Sequence, residues 1–182
     1  MIELAHSDPA FTHFAGIVLA ATLGALQGRT DRMGSIWTVL VRLPGTFLHE
    51  LSHLVVAIVT GGRPAGFSVI PRRTVGVTAA GGQRPVWVLG SVTITNPSII
   101  AAFPTGMAPL LLIPLAWFLF RHWFVWFPPD LPHTLLMYAA VVVCCGSSVP
   151  SAHDFTVAFS RPLGVVLYIT LGVGAWLVWR GF

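Results

Sequence analysis

From Ile36 to Thr60 the sequence is apolar enough to sit in hydrocarbon, yet its second half carries His49-Glu50-Leu51-Ser52-His53. No other stretch constrains the fold as much. Residues four apart share a helix face, so the imidazoles of His49 and His53 point at one spot. Two neutral imidazoles at about 2.0–2.1 Å from a zinc ion make half of a tetrahedral site. Glu50, one position along, is placed to take a proton from a water on the metal rather than to ligate it. In a soluble protein such histidines can be core residues bonded to backbone carbonyls, with the glutamate paired to an arginine. In an apolar helix unpaired polar groups are costly, and a shared cation accounts for all three.

The rest of the chain is also built for lipid. It is 55% hydrophobic and 9% charged, with a mean hydropathy of +0.80, whereas soluble domains carry about 25% charged residues. Its 182 residues fit one domain, 1–182. All ten basic residues are arginines, and they are scattered between apolar runs. This excludes a nucleic-acid face and suits membrane flanks and anionic-lipid contacts. Cys144 and Cys145 are adjacent within an apolar run, where they are poorly placed for a structural disulfide.

Five membrane spans are expected. The first is Phe11 to Leu26, preceded by acids rather than the basic region of a signal peptide. The second is Ile36 to Thr60, in which Pro44 is either a kink or the first-turn proline of a later start. Gly61-Gly62 ends it. Arg63 to Thr95 reads differently: Gly66–Ile70, Thr74–Thr78 and Val86–Thr95 are β-branched, partly alternating and broken by glycine and proline. This predicts a small β-hairpin-like insert. The third span, Ile99 to Phe120, follows Asn96-Pro97, a good helix start, and Pro104, Pro109 and Pro114 predict a kinked or partly unwound helix. Thr134 to Val149 is the fourth, ending in Gly146-Ser147-Ser148-Val149-Pro150-Ser151, and Pro162 to Trp179 is the fifth. The fold class is thus an all-α polytopic membrane protein, multi-pass in the cell membrane, with the insert between its second and third helices.

A catalytic zinc takes a third protein ligand and leaves one position open. No histidine lies six residues after His53, and the only other glutamate is Glu3. Among the aspartates, Asp8, Asp31 and Asp130 fall at a terminus or in ordinary loops. Asp154 follows the small residues at the broken end of the fourth span, where helices can approach closely. It is the favoured third ligand, with His153 beside it as the rival. The alternatives for Asp154 are a helix cap or an ion pair with Arg161.

The HExxH helix in a membrane segment, the β-like insert, the Gly/Pro-bearing helix and the distant aspartate together resemble the site-2 protease family of intramembrane zinc metalloproteases. The resemblance spans roughly Leu40 to Phe155. It implies that His49, His53 and Asp154 hold zinc and that Glu50 is the catalytic base. Gly106-Met107-Ala108-Pro109 is a loose echo of the family's Gly-Pro…Asn element, without the asparagine. Pro150-Ser151-Ala152-His153-Asp154-Phe155 stands where Leu-Asp-Gly is usual, as in short, divergent members, and no PDZ insert is present.

The expected activity is hydrolysis of peptide bonds within or near transmembrane segments of membrane-protein substrates. Asn96 or His133 is a candidate oxyanion donor, and His153 a candidate substrate contact. An edge of the insert can capture the substrate as an added strand. The competing reading is a silent membrane protein that keeps zinc for structure and sequesters partners. Glu50 argues against it, because a structural site needs no base. A metal transporter would repeat ligands along a path, and a single cluster is visible.

Overall fold

The computed structural model describes residues 8–30, 36–70, 72–77, 83–88, 90–94 and 97–181. The chain runs α1 (Pro9–Thr30), α2 (Ile36–Val59), β1 (Pro64–Ser68), β2 (Arg72–Val77), β3 (Gln83–Val88), β4 (Ser91–Ile94), α3 (Ile99–Gly106) and a 3₁₀ turn (Ala108–Leu111). It continues through α4 (Leu112–Trp126), α5 (Leu131–Ser147), α6 (Ala152–Phe159) and α7 (Pro162–Arg180). The insert lies between α2 and α3, where the β-branched stretch predicts it. It forms two antiparallel pairs, β1 with β4 and β2 with β3. Phe67 of β1 meets Phe47 of α2 edge to face, ring centroids 6.5 Å apart, which docks the first pair on the metal-motif helix.

Three helical stretches are long and apolar enough to cross a membrane: Pro9–Gln27, Ala108–Trp126 and Pro162–Arg180. The pair α5–α6, bent by 59°, makes a fourth if it is one span. That is fewer than the five expected. The difference lies in α2, which has the length but carries Arg42, His49, Glu50 and His53 among its apolar residues. Pro44 sits inside α2, so the helix begins at Ile36 and His49 lies about 20 Å along it.

The expected third span is divided. α3 ends at Gly106 after two turns, a 3₁₀ turn containing Pro109 follows, and the long helix starts only at Leu112. Pro109 and Pro114 have no N–H to give the preceding turn, which favours a break there. The start of α3 is capped by Ser98, whose hydroxyl accepts from the Ala101 N–H at 3.1 Å.

α7 is apolar on every side and, apart from Gly164, almost entirely exposed. In water such a helix would be a liability, whereas in lipid its side chains are solvated by acyl chains. The interior is built by α2, α4 and α5, with Leu112, Ala116 and Cys144 buried against Leu48, Leu119 and Val141. Small residues allow the close crossings. Gly16 of α1 lies against the Tyr138 ring of α5, Gly45 of α2 against Ser147, and Gly106 of α3 against the backbone of α6 at Asp154 and Ala158.

Candidate metal centre

His49 and His53 leave α2 on one face, one turn apart, as the spacing predicts. Their ring centroids are 4.9 Å apart. Each imidazole is held from behind by a backbone carbonyl. The Ser147 carbonyl, at the end of α5, accepts from His49 Nδ1–H at 2.9 Å, and the Thr105 carbonyl of α3 accepts from His53 Nδ1–H at 2.7 Å. Both carbonyls are available because α5 and α3 terminate at this depth and leave their last C=O groups without helical partners. The bonds fix the tautomer: with Nδ1 protonated, each Nε2 presents a lone pair forward.

Those lone pairs converge. The two Nε2 atoms are 3.2 Å apart, and the Asp154 carboxylate closes the triangle, with Oδ2 3.2 Å from His49 Nε2 and Oδ1 3.1 Å from His53 Nε2. Asp154 reaches this point because α6 begins at a break. Ser151 caps the helix, accepting from the Asp154 N–H at 3.2 Å, and the Ser151 N–H donates to Asp154 Oδ2 at 2.6 Å. This capping box locks the carboxylate in place. The aspartate is therefore both the third-position member of the capping box and part of the cluster. His53 and Asp154 are buried, at 5% and 7% exposure.

Two imidazole lone pairs and a carboxylate facing one another at hydrogen-bond distance repel unless a cation lies between them. The ligand atoms of His49, His53 and Asp154 all lie within 4.8 Å of one another, so the group could hold a metal ion. Two nitrogens and one carboxylate oxygen suit zinc, with the fourth position left to water or substrate.

The remaining expected residues separate. His153 sits beside Asp154 but is exposed, and it lines the larger cavity without joining the cluster. Successive helical residues point about 100° apart, so only one of the two can face the histidines. His133 belongs at the other end of α5, about 21 Å from Ser147 along the helix. There it pairs with Asp130 at 2.6 Å and stacks on Phe127, which corrects its candidacy as an oxyanion donor. Asn96 lies outside the described residues. Sequence reasoning missed the carbonyls of Ser147 and Thr105, since backbone acceptors carry no residue signature. Only the small Gly146-Ser147-Ser148 run, which allows close approach, hinted at the first.

Two cavities open on the cluster. A chamber of about 360 Å³ is lined by Gln27, Arg42, Thr46 and Ser147 among others, and is mostly polar. A mostly apolar one of about 760 Å³ is lined by His53, Val92, Thr93, Thr105, Asp154 and Val157 among others.

Fold and site together define a polytopic membrane protein with a candidate metal centre between its helices. The family model described as Peptidase M50B-like matches residues 14–175, and the chain belongs to that family, a member of the site-2 protease group. No curated protein and no solved structure matches it.

Proposed function

We propose that this chain is an intramembrane zinc metallopeptidase that hydrolyses peptide bonds within or near transmembrane segments of membrane-protein substrates. Membership of a peptidase family and helices suited to lipid support the general class. The observation that carries the finer reading is the cluster itself: two forward-facing Nε2 lone pairs and a carboxylate converge, with Glu50 on the same helix lining both cavities.

In this reading His49, His53 and Asp154 hold zinc. Zinc, when bound, supplies a Lewis acid that brings the pKa of a water toward 7 and polarises the carbonyl to be cut. Glu50 takes the proton of the attacking water and passes it to the departing amine. The Ser147 and Thr105 carbonyls keep both imidazoles in the ligating tautomer. The apolar chamber accepts the substrate segment, and the polar chamber carries water to the base. His153, on the wall of the apolar chamber, contacts the substrate. α2 crosses the bilayer as well, because its polar groups face the cluster rather than lipid. With the bent pair as one span, the count becomes five within a single integral domain, 1–182, in the cell membrane.

Replacing Glu50 by Gln tests the reading. The full chain, purified in detergent and reconstituted in phosphatidylcholine vesicles, is given a panel of single-span peptides. Glu50→Gln abolishes cleavage while keeping one zinc per chain. Cleavage at the wild-type rate by this variant refutes the proposed base.

A further inference from the structure

Four residues line both chambers: His49, Glu50, Ser151 and Gly90. The first two belong to the chemistry proposed above, and Ser151 holds Asp154. Gly90, immediately before β4, has no part in that scheme. Its backbone does not require glycine, since the positive-φ glycines among the described residues are Gly61 and Gly181. What requires glycine is space. A Cβ at position 90 would lie 2.7 Å from Glu50 Cγ, 3.0 Å from Thr46 Cγ2 and 3.4 Å from Glu50 Cδ. Carbon atoms rest at about 3.5–4.0 Å, so either the strand or the carboxylate would move by about 1 Å.

The same segment also brings a backbone amide to the carboxylate. The Val92 N–H lies beside Glu50 on the wall of the apolar chamber, close enough to act on it. Among the described residues β4 pairs with β1 alone, which leaves its other edge free of a strand partner. The side chain of Glu50 is thus pressed by the bare backbone at Gly90 and aimed by the amide at Val92, two residues on. Neither constraint comes from the helical scaffold that carries the metal cluster.

We propose that the Gly90–Val92 backbone is the positioning element for Glu50, with glycine at 90 required so that the insert can close on the base. The inference rests on Glu50 acting as the base. Position 90 thereby couples the β-insert to turnover independently of metal binding.

The test uses the reconstituted full chain and a fluorogenic single-span peptide that the wild type cleaves. Gly90→Ala is expected to keep its zinc content and a KM within about twofold, while kcat falls about 10- to 100-fold, the scale of a 1 Å misplacement. Adding Thr46→Ser removes the second contact and returns part of kcat. Gly66→Ala puts the same methyl in the β1–β4 pair, where it meets only Thr93 at 3.9 Å, and keeps wild-type kcat. Wild-type kcat in Gly90→Ala, or a loss carried by KM or zinc content, overturns the proposal. Should Gly90→Ala not accumulate in membranes, Val92→Pro removes the N–H without a new contact at 90, and an active Val92→Pro enzyme also overturns it. Glu50→Gln distinguishes the failures. If it is dead while Gly90→Ala is fully active, only the positioning role falls; if it turns over, the base and this inference fall together.

Discussion

A single methyl group on Gly106 should weaken zinc binding at the proposed metal centre. Gly106 ends α3 where that helix crosses α6, and a Cβ there would lie 2.5 Å from the Asp154 carbonyl oxygen, 2.6 Å from the Ala158 amide nitrogen and 2.7 Å from Ala158 Cβ. Carbon and oxygen in contact sit about 3.3–3.6 Å apart, so α3 and α6 must separate by about 1 Å, backbone against backbone. α3 carries the Thr105 carbonyl that orients His53, and α6 carries Asp154. Separating them moves an orienting group and a proposed ligand at once. Zinc ligand distances hold to within about 0.2 Å, several times less than the displacement. Loss of orienting groups alone costs about 10- to 100-fold in metal affinity, or about 1.4–2.7 kcal/mol. Gly106→Ala should therefore bind zinc at least 10-fold more weakly, with a further about 1–3 kcal/mol of overpacking in stability. Competition with a fluorescent chelator measures the first and thermal unfolding the second. Gly172→Ala in α7, with nothing within 4 Å of its new methyl, is the control. A folded Gly106→Ala protein with wild-type zinc affinity would refute the reasoning.

Other consequences follow from the same geometry. Asp154→Asn keeps an acceptor for the Ser151 N–H but removes the charge, so it should lose zinc. Chelation should then leave its unfolding temperature unmoved, while the wild type loses about 2.7 kcal/mol if zinc stood at 100 times its Kd. Gly16→Leu drives a side chain into the Tyr138 ring and breaks the 3.2 Å contact between Tyr138 and His13, at a cost of about 1–3 kcal/mol. Gly24→Ala on the same helix places a Cβ that meets nothing within 4 Å and should leave the unfolding temperature unchanged. At the start of α5 the His133 backbone N–H, then its side chain, hold Asp130 below its ordinary pKa of 3.8. A carboxyl lowered on folding stabilises above its unfolded pKa, and that contribution is lost as pH falls through the folded value. Amide protection in the first turn of α5 should therefore fall below about pH 4, and Asp130→Ala should abolish that dependence.

Short-range spacing is what made part of this protein legible from its residues alone. Positions 49 and 53 are one helical turn apart whatever the rest of the chain does, so the paired imidazoles and the glutamate between them were legible at once. So were the apolar runs, because lipid demands whole helices of hydrophobic residues, and the β-branched insert between Arg63 and Thr95. Tertiary structure decided the rest. Asp154 stands 105 positions from His49, and the fourth apolar run could be read as leading to it, but only the capped break before α6 turns Asp154 inward and His153 outward. The carbonyls of Ser147 and Thr105 are invisible in sequence, since every residue has one. Gly90 looks like any loop glycine until β4 is laid against α2. The physical reason is the range of the forces involved. Helical periodicity is fixed by bonds within a few residues, whereas the meeting of a carboxylate, two carbonyls and a bare backbone depends on where whole helices come to rest.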